Sequence, residues 1–282
     1  MKKNLQIWTA IVFVLFLFPV LIQFIPEESK ISTSKIVKEN ALIVYASNIV
    51  AEDEAVPETA IESETEAETE TENEESKLGK VLLYNTHSTE AYKPITKAVD
   101  GKLAVDQHQT ENVVKMSDKL KSLLEINGVE TDTLKKKVSY SRAYKDIRPF
   151  VQKQLAENEY DLIIDIHRDS AGPEATTIGY KGERYAKVAF VLGQNNPSYK
   201  KNEAITNKFK SEMEKRIPGI MRNVISKGGA GVDGKYNQDL HPNLVLMELG
   251  GVGNSEEELN RTLIVISEVI MEMLANDEIE EK

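Results

Sequence analysis

Three stretches of this chain each set a chemically competent side chain at or just past the end of a short apolar run. Leu162-Ile163-Ile164-Asp165-Ile166 leads into His167-Arg168-Asp169-Ser170. Val81-Leu82-Leu83-Tyr84 leads into Asn85-Thr86-His87-Ser88-Thr89-Glu90, and Leu244-Val245-Leu246-Met247 into Glu248-Leu249-Gly250-Gly251. Runs of this length bounded by polar residues read as buried strands of a parallel sheet, and ligands of open α/β sheets gather at the carboxyl ends of such strands. A lone histidine is ordinarily a packed or surface residue. Two of them in matching positions, with an acid at the end of a third run, fit a zinc hydrolase, which uses three nitrogen or oxygen ligands and leaves a fourth position for water. Asp165 and Asp169 flank His167 at two-residue spacing and suit orienting its ring, and Arg168 suits bidentate binding of a substrate carboxylate. The plain alternative for these three is a salt-bridged strand end.

The elements that must position these groups follow from Leu78 onward, where strands and helices alternate. After the 81–86 strand, Val113, Met116, Leu120, Leu123 and Leu124 fall at helical spacing, predicting a helix over 111–127 with Gly128 just past its end. A strand at 129–133 and a helix over about 141–158, which Pro149 shortens or kinks, precede the His167 strand. A strand at 186–192, a helix over 197–216 stopped before Pro218, a short strand at 220–225, the Glu248 strand and a last helix over about 255–274 complete the order. Alternation of this kind predicts a three-layer α/β domain with a mainly parallel sheet over 78–282.

The N-terminal quarter is different in kind. Residues 5–25 are nearly continuously apolar, long enough to cross a bilayer core as a helix. Lys2 and Lys3 precede them, which predicts a cytoplasmic tip at 1–4 and the remainder of the chain outside. A cleaved signal peptide is the competing reading, but Pro26-Glu27-Glu28 follows the run with no small-residue cleavage site. Residues 26–77 read as a juxtamembrane segment and an acidic linker. The twelve acidic residues from Glu52 to Glu75 stand against a net charge of −11, leaving +1 for the rest of the chain. Such a tract cannot bury enough apolar area to fold and is held extended by self-repulsion, so the acidity belongs to the linker and not to the domain. No basic stripe or aromatic-basic interleaving points to nucleic acid. The absence of cysteine excludes a disulfide framework, a thiolate metal site and a cysteine nucleophile. Ser88 and Ser170 lie in no nucleophile-elbow pattern.

Asn85-Thr86-His87-Ser88-Thr89-Glu90-Ala91-Tyr92, Ile164-Asp165-Ile166-His167-Arg168-Asp169-Ser170 and Met247-Glu248-Leu249-Gly250-Gly251 resemble the motifs of the stage II sporulation protein P family. So do the stretches from Tyr185 to Gly193 and from Tyr236 to Leu240, and the single N-terminal anchor. That family in turn is distantly similar to the zinc-dependent N-acetylmuramoyl-L-alanine amidases. The resemblance implies an amidase-like α/β fold and a membrane-anchored peptidoglycan hydrolase, with amidase and endopeptidase activities, acting in engulfment beside stage II sporulation proteins D and M. It implies Zn2+ held by His87 and His167, with Glu248 as general base. In the related amidases a third ligand, a glutamate, lies near the start of the first helix. Here that region offers His108 and Glu111, neither on the amidases' spacing. His108 is the expected ligand and Glu111 the runner-up, since an acid in a first helical turn is already explained by the helix dipole. Glu90, three residues past His87, is a further candidate. Asn237, Gln238 and Asp239, after the glycines of 228–231, suit the wall of a peptide groove, and His241 beside Pro242 reads as a bystander. The non-enzymatic alternative is a membrane-tethered wall-binding scaffold that keeps the fold without turnover.

Overall fold

A computed structural model describes residues 78–97 and 107–280. The expected tip, anchor and linker at 1–77 lie outside these described residues, among which no helix is long and apolar enough to cross a membrane. In chain order the principal elements are strand β1 (Lys80–Tyr84), helix α1 (Val113–Ile126), β2 (Glu130–Leu134), α2 (Ala143–Glu157), β3 (Leu162–Asp169), β4 (Thr177–Tyr180), β5 (Glu183–Ala186), β6 (Val188–Gly193), α3 (Tyr199–Arg216), β7 (Ile225–Lys227), β8 (Leu244–Gly251) and α4 (Glu256–Glu280).

Six strands form one sheet in the order β2-β1-β3-β8-β6-β7. The first four are mutually parallel; β6 runs antiparallel to β8, and β7 parallel to β6. The central strands are buried along nearly their whole length, which is why their sequences are continuous apolar runs and not alternating ones. One face carries Leu82, Ile163 and Leu244, aligned across three strands by register, and α2 covers them with Ile147 and Val151. Each such fully buried side chain contributes ~1.5–3 kcal/mol. On the opposite side α1 buries Val113, Met116, Leu120, Leu123 and Leu124, and its Ser117 hydroxyl donates to Asn85 Oδ1 at 3.0 Å. The buried ammonium of Lys119 ties α1 to α4 through Glu256 Oε1 at 2.6 Å and Asn260 Oδ1 at 2.9 Å.

Two element boundaries depart from the sequence expectation. The expected 186–192 strand is two elements: Ala186 closes the separate β4–β5 hairpin, and β6 starts at Val188. Lys187 is the pivot, its N–H bound to Thr176 O and its carbonyl taken by Gly250 N–H. The expected strand at 220–225 is reduced to a bridge at Met221, and pairing with β6 begins only at Ile225. Pro149 lies inside α2 without ending it. At the far end of β8, a Cβ on Gly251 would collide with the Ala171 carbonyl oxygen and Thr176, so glycine permits β8 to run this close to the loop after β3.

Candidate metal centre and active site

The two histidines are placed by one buried carboxylate. β1 ends at Tyr84, and a turn over 86–89 carries His87. Asp165, fully buried in β3, anchors that turn: the Thr86 N–H donates to Oδ1 at 2.8 Å and the Thr86 hydroxyl to Oδ2 at 2.6 Å. His167 lies two residues along the same strand, hence on the same face, and its Nε2 is 3.1 Å from Asp165 Oδ1. The spacing seen in sequence thus has a reason: one aspartate steadies both the second imidazole and the loop that delivers the first.

The turn that presents His87 also presents Glu90. The Glu90 N–H closes the turn onto His87 O at 3.0 Å. Its carboxylate lies between the rings, with Oε1 3.2 Å from His87 Nδ1 and Oε2 3.5 Å from His167 Nδ1. Oε2 also accepts the Arg168 N–H at 3.0 Å. Donor atoms of His87, Glu90 and His167 all lie within 4.8 Å of one another. Glu248 stands directly opposite His167 across the β3–β8 ladder.

The other expected residues go elsewhere. His108 is occupied by its own loop: its Nδ1 accepts the Glu111 N–H at 2.8 Å and the Thr110 N–H at 3.3 Å. Glu111 pairs with Lys115 one turn on at 2.6 Å. Neither joins the converging group; the structure brings Glu90 to the two histidines in their stead. Asp169 accepts the Ala171 N–H at 2.8 Å and pairs with Arg222, which secures the loop after β3. Arg168 is only 5% exposed, and its guanidinium donates to Asp169 O at 3.3 Å. Gln238 is fully buried, bonded to Val191 O and to the Gly193 N–H, each at 2.8 Å, so it seals the end of β6 and lines no groove.

Two aromatic residues near the start of α2 complete the site, and nothing in their spacing marks them in sequence. Tyr140 stacks on His87 with centroids 4.2 Å apart, and Tyr144 lies near-parallel to His167 at 6.2 Å and edge-on to His87 at 5.5 Å. Tyr236 meets Tyr144 edge-on at 5.1 Å. Tyr236 and Asn237 both hold positive φ, 52° and 56°, a strained pairing for two non-glycine residues. It is held by Arg148, which grips Asp239 through two 2.8 Å bonds and Asn237 Oδ1 through one at 3.1 Å, while Asn237 donates to Tyr144 O at 2.9 Å.

Charge in this pocket calls for a cation. Asp165, Glu90 and Glu248 surround two imidazoles. Burial works against a charged His167, yet Asp165 and Glu90 hold its pKa well above 6.5. Burial likewise opposes the Glu90 carboxylate, and His167 and His87 hold it well below the usual carboxylate range. Burial pushes Glu248 up to about 7, with His167 opposing and Glu90 adding to the rise. The buried Glu248 Oε2 has no hydrogen-bond partner among the described residues, and His167 Nε2, though close to Asp165, is not aligned to bond it. Two imidazoles, one carboxylate and an unpaired acid beside them fit a bound metal of the zinc type. The centre opens on a cleft of ≈ 530 Å³ lined by His87, Tyr140, Arg142, Tyr144, Lys145 and Asp233, among others.

Comparison with known proteins bears on which family carries this arrangement. The model of the stage II sporulation protein P family matches residues 19–271. The stage II sporulation protein P of Bacillus subtilis (strain 168) is 40% identical over 204 residues, covering 68% of this chain and 50% of that one. The chain therefore spans about half the length of that curated relative. Among solved structures, the chain is similar to the CwlD amidase from Clostridioides difficile in complex with the GerS lipoprotein, at 13% identity and a TM-score of 0.45 over 70% of this chain and 98% of that one. It is also similar to the catalytic domain of the CD27L endolysin targeting Clostridia Difficile, at 15% identity and a TM-score of 0.43 over 70% and 97%. Likeness at these scores says nothing about the chemistry of the site.

Proposed function

Because the chain belongs to the stage II sporulation protein P family, we propose that its domain at 78–282 is a zinc-dependent peptidoglycan hydrolase of sporulation. The bond assigned is the amide between N-acetylmuramic acid and L-alanine, with stem-peptide cross-links as a second target. Residues 5–25 would anchor it in the membrane with the domain outside the cytoplasm, acting in engulfment beside stage II sporulation proteins D and M. The observation that carries this reading is the convergence of His87, Glu90 and His167 within 4.8 Å, with Glu248 facing His167 from the neighbouring strand.

His87, Glu90 and His167 would hold the metal, and Asp165 would keep His167 and the His87 turn in place. Zinc, when bound, supplies a Lewis acid that polarises a scissile carbonyl and acidifies a water. Glu248 is the group of this chain suited to move the proton: facing His167 from the neighbouring strand, its carboxylate accepts the proton of the attacking water and gives it to the leaving amine. The carbon–nitrogen bond breaks, the water's oxygen stays with the muramoyl acyl group, and the amine of L-alanine departs with the proton. Tyr140 and Tyr144 flank the histidines and limit the water that surrounds the reacting bond.

Purified full-length protein, with zinc measured per chain and new L-alanine amino groups counted on intact cell wall, tests the reading. Near-stoichiometric zinc with release of those groups is expected. Zinc-loaded protein that binds wall and frees no amino group would leave the non-catalytic scaffold as the better description.

A further inference from the structure

The cleft beside His87 is lined by more than the metal centre requires. Tyr140 forms one wall; its ring is stacked on His87 and yet the residue is 51% exposed. Arg142 and Lys145 lie on the same wall, and Asp233 also lines the cleft. Lys145 makes no ion pair among the described residues. Among the described residues the Arg142 guanidinium is engaged by Asp146 alone, one turn on at 3.2 Å, and the side chain is 66% exposed. A pair that exposed holds its charge weakly. Asp233 is committed to its own loop: Oδ1 accepts the Lys235 N–H at 3.0 Å and the Tyr236 N–H. With Arg142 paired to Asp146 and Asp233 tied to its own loop, Lys145 is the cation of this wall that has no ion pair among the described residues, whereas the floor behind it is built from Glu90, Asp165 and Glu248. Its volume suits a single sugar ring or one to two residues.

We propose that this wall is a binding subsite for the anionic part of the substrate: Lys145, with Arg142 in support, takes a free carboxylate of the stem peptide while Tyr140 packs against the adjoining apolar or sugar surface. The proposal rests on the reading of the centre as a wall hydrolase, and it names the substrate feature that site selects. Lys145 is on this view a specificity residue that never touches the reacting atoms. An unpaired ammonium beside an open aromatic ring matches a carboxylate-bearing peptide better than an uncharged glycan, which would leave the Lys145 ammonium without a partner.

The test uses the full-length chain carrying Glu248→Gln, so that binding is read without turnover. Its probes are a synthetic muramoyl dipeptide ending in a free carboxylate and the same molecule ending in a carboxamide, titrated by calorimetry. Tighter binding of the carboxylate is expected. Adding Lys145→Glu should weaken it ~10-fold, the worth of a charge-assisted hydrogen bond, and leave the carboxamide unchanged. Lys153→Glu, the same charge change on an exposed position of α2, should alter neither. Equal binding of the two probes, no binding of the carboxylate, or equal losses from Lys145→Glu and Lys153→Glu would each overturn the subsite. Failure of the hydrolase reading shows separately, as absent amino-group release from wall by the unsubstituted protein.

Discussion

His167 and Glu248 are partners in the β3–β8 ladder, one residue directly across from the other on adjacent parallel strands. A backbone register therefore sets the distance between an imidazole and the acid beside it, and no loop has to order first. Glu248 Oε2 is buried without a hydrogen-bond partner among the described residues, a cost that a purely structural glutamate has no reason to carry. Glu248→Gln should keep the fold and the metal and lower hydrolysis of wall by about 10²–10⁴, the usual contribution of a positioned base. Circular dichroism, metal content and amino-group release together check this. A folded, metal-loaded and fully active Gln variant would place the base elsewhere.

Metal content also ranks the third ligand. Glu90→Gln is expected to reduce zinc per chain well below the levels left by His108→Ala and by Glu111→Ala. Those two residues serve a loop N–H and Lys115, whereas Glu90 lies between the histidines. Retention of zinc by the Glu90 variant with loss in His108→Ala would move the site to the helix start.

Asp165 is expected to act on both ligands at once. Asp165→Asn keeps the shape but removes the charge facing His167, and outer partners of this kind are worth about 10–100-fold in metal affinity. Asp165→Ala should go further and destabilise the fold. It strands the Thr86 N–H and hydroxyl, at about 1–3 kcal/mol for each buried group left unsatisfied. Competition with a chelator reads the first effect and urea unfolding of metal-free protein the second. An Asn variant with unchanged affinity would reduce Asp165 to a packing residue.

Away from the centre, His241 predicts a pH dependence. Burial lowers its pKa, Asp161 only partly opposing, and its Nδ1 accepts the Asn243 N–H at 3.1 Å, as a neutral ring must. The folded state thus binds this proton less readily than the unfolded one. The associated stability is present above about pH 6.5 and is lost as pH falls through the depressed value. His241→Asn can keep an acceptor for the Asn243 N–H and does not titrate. Its melting temperature should therefore fall less than that of the unsubstituted protein between pH 7.5 and 5.5, and equal falls would refute the assignment.

Much of this organisation follows from local chemistry. Val81–Tyr84, Leu162–Ile164 and Leu244–Met247 are apolar without alternation because both their faces are covered, so their strand state and central position are written in composition alone. The spacing from Val113 to Leu124 specifies a helix for the same kind of reason. His87, His167 and Glu248 stand out because polar groups directly at the ends of such runs must face either water or a ligand. Tertiary structure decided the rest. Glu90 sits three residues past His87, a spacing compatible with a turn or a helix, and only the turn closed onto His87 O and tied to Asp165 brings its carboxylate between the rings. His108 is the better donor by residue type, but it lies outside the converging group of His87, Glu90 and His167, and its Nδ1 accepts backbone N–H groups next to it. The direction of β6 and the placing of Tyr140 and Tyr144 over the histidines depend on contacts between segments far apart in the chain. Periodicity reports which face of an element is buried; it carries no information about which distant residue covers that face.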